Sequence, residues 1–109
     1  MMEKRATVAK IKGWYAGRDL KPCRNCWFQK KYETDTIWCC PLGAWYLSEG
    51  GNSRGFDAMC AAHDYFGKEY VTGFIEGFDG SPYSWNQDTE YRIGYKDGQS
   101  ASKQLFPST

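Results

Sequence analysis

Branched aliphatic side chains are scarce in this chain: its 109 residues include only four Ile, two Val and four Leu. No stretch approaches the roughly 20 apolar residues of a membrane span, and the start, MMEKRATVAKIKG, lacks the apolar run of a secretory signal. Together these absences predict a cytoplasmic protein with no membrane partner. Walker loops, dinucleotide fingerprints and HExxH helices are also missing, which removes the common nucleotide-hydrolysing, dehydrogenase and zinc-protease signatures. Net charge is nearly absent too, at +1.

Aromatic rings, by contrast, make up 17% of the residues. Disorder requires few aromatics or a high net charge, so this composition predicts a folded globule with a core built from rings. At 109 residues a single domain is expected, 1–109, with a basic Cys-rich part over 1–52 and a helical part over 53–109. Residues 1–31 carry nine Lys or Arg and two acids, and the remainder carries five bases and eleven acids. Such polarity can present a basic face to phosphate and an acidic face elsewhere.

The predicted fold is mostly α, or small α+β. Val8, Ile11 and Tyr15 at helical spacing suggest a short helix within 6–19. Two ring-rich runs around the polar Glu33–Asp35 turn suit a hairpin or loops between Cys23 and Cys39. Pro41 fits a first helical position, with Gly50 and Gly51 as the stop. Ser53 is a plausible cap for a helix over about 54–66 that turns Phe56, Met59, Cys60 and His63 inward, with Gly67 following it. Further helices are expected over about 68–78 and 89–105, the last capped by Asn86 or Asp88 and stopped before Pro107.

An internal repeat is the most informative feature. YVTGFIEG at 70–77 and YRIGYKDG at 91–98 share Tyr, two residues, Gly, an aromatic, one residue, an acid and Gly, 21 positions apart. Each helical Gly costs about 1 kcal/mol relative to Ala, so something must compensate. Glycines four apart share one helix face and allow close approach there. The expectation is an antiparallel pair, glycine stripe against glycine stripe, with Tyr70, Phe74, Phe78, Tyr91 and Tyr95 around it. Glu76 and Asp97 are equivalent in the two copies, so a carboxylate pair for acid–base chemistry is a second reading.

The run GFIEGFDGSPY at 73–83 followed by YRIGYKD at 91–97 resembles the ribosome modulation factor family, through Gly73, Phe74, Gly77, Gly80, Pro82, Tyr83, Tyr91, Gly94 and Tyr95. The resemblance covers about the last 40 residues. It implies a two-helix module and binding to small-subunit ribosomal RNA. Residues 68–109 hold four bases and six acids, whereas that family is basic, so phosphate contacts would fall mainly to the N-terminal third.

Cys23 and Cys26 form a CxxC, Cys39 and Cys40 are adjacent, and Cys60 and His63 form a CxxH. Two close pairs can supply the four ligands of tetrahedral zinc, so Cys23, Cys26, Cys60 and His63 are a candidate structural Zn²⁺ site, with Cys39 or Cys40 as substitute. The alternatives are reduced core thiols, a redox CxxC, or a Cys nucleophile with His63 as base and Asp57 or Asp64 as orienting acid. An enzyme is not the expectation.

Arg24, Lys30 and Lys31 alternate with Trp27, Phe28 and Tyr32, a mixture in which rings stack on bases while cations follow a phosphate backbone. The expected function is therefore non-enzymatic binding of RNA or a ribonucleoprotein such as the ribosome, through Lys21, Arg24, Trp27, Lys30, Lys31, Tyr83 and Trp85. The competing class is a protein-interaction module or inhibitor, for example a phage or mobile-element accessory protein. It would dock on a host complex through Asp79, Asp88, Glu90 and Asp97.

Overall fold

The computed structural model describes residues 4–16, 19–30, 35–85 and 88–106. Among these, five helices and three short strands follow in the order α1 (Val8–Tyr15), β1 (Leu20–Pro22), β2 (Phe28–Lys30), β3 (Ile37–Cys39), α2 (Pro41–Ser48), α3 (Gly55–Phe66), α4 (Lys68–Asp79) and α5 (Thr89–Leu105). The expected mostly helical fold with a small β element is what forms. No helix is long and apolar enough to cross a membrane among the described residues.

The hairpin anticipated between Cys23 and Cys39 is β2 paired antiparallel with β3, Phe28 opposite Cys39. The strand β1 adds in parallel on the other side of β3, giving the order β1-β3-β2. Pro22 has no N–H to donate, and it sits on an edge strand where that loss is tolerated. Tyr15 donates its hydroxyl to the Cys39 carbonyl at 2.6 Å and so ties α1 to the sheet. Burial pushes the Tyr15 phenol well above its ordinary pKa, and this neutral donor stays protonated.

Pro41 opens α2, and the Cys40 sulfur accepts from the Gly43 N–H at 3.4 Å as its cap. Residues 41–45 are all buried, so α2 is the central helix of the N-terminal half. Two expectations about α3 are corrected. Arg54 rather than Ser53 is its N-cap, with no side-chain cap bond. Its inward face is Ala58, Ala62 and Phe66, whereas Phe56 is 72% exposed, Cys60 is exposed and His63 is half-buried. Both sets have helical spacing; the small alanines face inward and Phe66 reaches the rings of Trp14, Trp45 and Tyr70.

The largest correction concerns the repeat. Gly67 lies beside the Glu90 carboxylate, Gly73 faces Tyr91 and Tyr95, Gly94 faces Tyr70 and Phe74, and Gly98 faces Phe74 and Phe78. Contacts that advance together along both helices make α4 and α5 a parallel pair, not an antiparallel one. The connection permits it. Gly80 ends α4 in the left-handed region at φ +79°, and the chain then runs back beside α5, with Tyr95 donating to the Ser81 carbonyl at 2.7 Å and the Ser84 N–H donating to the Tyr91 oxygen at 3.1 Å. A helix of 12 residues is about 18 Å long, which a connection of this length can retrace when extended.

Parallel packing in register with the repeat makes the two copies reciprocal. A Cβ on Gly73 would collide with the Tyr91 carbonyl, on Gly94 with Tyr70, on Gly77 with Tyr95 and on Gly98 with Phe74. Tyr70 of the first copy donates its hydroxyl to Asp97 of the second at 2.6 Å, and Tyr91 of the second donates to Glu76 of the first at 2.5 Å. The two carboxylates are therefore occupied in fastening the helices. Arg5 adds a two-pronged contact to Asp97 at 2.7 and 3.0 Å, and the Ala6 N–H donates to the Tyr70 oxygen at 2.7 Å, which sews the N-terminal segment onto the pair.

Candidate nucleic-acid interface

The residues expected to bind RNA divide between two places. Lys21 on β1 and Lys30 on β2 are exposed, while Lys31 lies outside the described residues. Trp27 is half-buried, packs against the core and lines a cavity of about 240 Å³ with Cys40, Phe74, Ile75 and Phe78. Arg24 is exposed but engaged: its Nε donates to the Phe78 carbonyl at 3.2 Å, a terminal nitrogen donates to Ser102 at 2.6 Å, and the guanidinium lies 4.0 Å from the Phe106 ring centre. It serves the ends of α4 and α5, where a cation complements the partial negative charge of a helix C-terminus. In the N-terminal set, then, Arg24 and Trp27 are committed to internal contacts.

The loop aromatics are placed differently. Trp85 is 82% exposed, and its backbone is held in the left-handed region at φ +54°, which a bulky residue seldom adopts. Tyr83 supports it edge-on, with ring centres 5.7 Å apart, and is itself held by Tyr95 at 5.1 Å and Tyr91 at 5.5 Å. Beside Tyr83 lies an open depression of about 400 Å³ lined by Tyr83, Arg92, Tyr95, Lys96 and Gln99. Along α5, Arg92, Lys96, Gln99 and Lys103 recur at i, i+4, i+7 and i+11, and all four are exposed. A cationic stripe thus runs along the helix from the ring platform.

This stripe was hidden in the charge count of residues 68–109. That count treats all acids alike, yet Asp97 is buried and neutralised by Arg5, and Glu76 is tied up by Tyr91 and Ser84. Helical periodicity applied to the bases alone would have found Arg92, Lys96 and Lys103.

The acidic set does not gather. Asp97 is buried; Asp79 is half-buried and accepts from the Asn25 N–H at 2.9 Å, its pKa raised by that burial; Asp88 caps α5 by accepting from the Glu90 and Tyr91 N–H groups; Glu90 is exposed in the first turn of α5.

The candidate zinc ligands are also dispersed. Cys23 and Cys26 are joined by a disulfide, Cys60 lies on the exposed side of α3, and Cys39 and Cys40 are buried thiols. Burial pushes both of these thiols up to about 12, which makes them poor nucleophiles. Zinc would require the disulfide to be reduced first, since thiolates are the ligands. Among the described residues no group of three or more His, Cys, Asp or Glu side chains is placed to hold a metal ion. No family model, curated protein or solved structure matches this chain.

Proposed function

We propose that this protein binds single-stranded RNA, free or within a ribonucleoprotein such as the ribosome, without catalysing a reaction. The observation that carries the reading is the exposed Trp85 braced by Tyr83 beside the Arg92–Lys96–Lys103 stripe. Rings stack on bases of any sequence at about 1–3 kcal/mol each, and cations along one helix face displace counterions from the phosphates. Tyr83, Trp85, Arg92, Lys96 and Lys103 form the binding surface. The resemblance of residues 73–97 to a ribosome-binding family supports the same reading.

Sedimentation of the tagged protein from lysate, with and without nuclease, tests it. Cosedimenting RNA that is lost on nuclease treatment and lost in Trp85→Ala supports the proposal. A nuclease-resistant protein partner retained by Trp85→Ala overturns it in favour of a protein-interaction role.

A further inference from the structure

The loop between β1 and β2 carries a second device, at the end of the helix pair away from Trp85. Four of its five residues, Cys23 to Cys26, are closed into a ring by the disulfide. The two residues inside the ring make the holding contacts. Arg24 reaches the Phe78 carbonyl, Ser102 and the Phe106 ring, and the Asn25 N–H donates to Asp79. Asn25 does so from the left-handed region at φ +61°, a conformation that Asn tolerates and that the closed ring helps to hold. All four contacted residues lie at the C-terminal ends of α4 and α5 or just beyond.

We propose that Cys23–Cys26 is a thiol–disulfide exchange site that, when oxidised, clamps the C-terminal ends of α4 and α5 and, when reduced by a dithiol, releases them. A thiolate of the dithiol attacks one sulfur of the pair, the S–S bond breaks, and a mixed disulfide forms. The second thiol of the reagent then displaces the remaining sulfur. Two electrons and two protons pass to Cys23 and Cys26, and the reagent leaves as its own disulfide. Access is available, because both cysteines are only half-buried and the intervening Arg24 and Asn25 are exposed. Migration of the disulfide inward is disfavoured, because Cys39 and Cys40 are buried, at 0% and 6% exposure, and burial keeps their thiols protonated. Among the described residues Cys23–Cys26 is thus the accessible disulfide, and its loop holds the clamp.

Hydrogen exchange of the intact chain, oxidised and after dithiothreitol treatment, tests this. Reduction should speed exchange about tenfold at the amides of Asn25 and of residues 102–106, with α2 and α3 unchanged. Arg24→Ala in the oxidised protein should reproduce the loss at 102–106, and reoxidation of the wild type should restore protection. Equal protection in both redox states, loss spread uniformly over the chain, or an Arg24→Ala variant as protected as wild type would each overturn the proposal. None of these readouts depends on RNA binding.

Discussion

Replacing Gly94 by Ala should destabilise the protein, against the ordinary effect of that substitution. In a helix interior Gly→Ala gains about 1 kcal/mol from propensity. At Gly94, however, the new Cβ would fall onto the Tyr70 carbonyl and lie about 3.0 Å from the Phe74 nitrogen, and neither backbone atom can swing away as a side-chain tip could. The helices must part. Separation weakens the four reciprocal glycine–carbonyl approaches, each worth about 0.5–1 kcal/mol, along with the surrounding van der Waals contacts. Against the propensity gain, a net loss of about 2–3 kcal/mol follows, within the range typical of overpacking. For a domain of this size that lowers the midpoint of thermal unfolding by roughly 10 °C. Gly13 supplies the control, since it is also helical but a Cβ there meets nothing within 4 Å. Circular dichroism melts of the two variants should move in opposite directions, Gly13→Ala up and Gly94→Ala down. A neutral or stabilised Gly94→Ala would refute the close parallel packing.

Other consequences can be measured on the same material. Tyr70→Phe should cost about 1–3 kcal/mol in denaturant unfolding, because it strands the buried Ala6 N–H, and more than Tyr91→Phe, whose partner Glu76 keeps Ser84 and access to water. Alkylation of the native, oxidised protein at pH 8 should label Cys60 and spare Cys39 and Cys40, as mass spectrometry can count. The folded-state pKa of Asp79 lies above its unfolded value, so its favourable contribution is complete below about pH 4 and is lost as pH rises through the folded value. Asp79→Asn keeps an acceptor for Asn25 and should be more stable than wild type at pH 7 by up to about 1 kcal/mol, with the difference vanishing in acid unfolding below pH 4.

Element boundaries were legible because punctuation residues wrote them: Pro41 starts α2, Gly67 separates α3 from α4, and Asp88 caps α5. The β2–β3 hairpin was legible from its two ring-rich runs. The direction of the helix pair was not. A repeat of Gly every four residues is compatible with either orientation, and the choice rests on how the connection after Gly80 runs, which Tyr91 and Tyr95 settle through bonds to its backbone. The inward face of α3 was missed because Phe56 outranks Ala58 and Ala62 on any hydropathy reading, whereas close packing favours the small residues. Of the proposed binding surface, Tyr83 and Trp85 were named from sequence. Arg92, Lys96 and Lys103 could not be separated from the neighbouring acids until those acids were seen to be paired.

Photocrosslinking of the full chain to a single-stranded RNA, with the adducts mapped by mass spectrometry, tests the RNA-binding account most directly. The account predicts adducts at Tyr83 and Trp85, their yield falling as salt is raised and again in Lys96→Glu. Adducts confined to Trp27 and the strands around it, or RNA binding undiminished in Trp85→Ala, would contradict it.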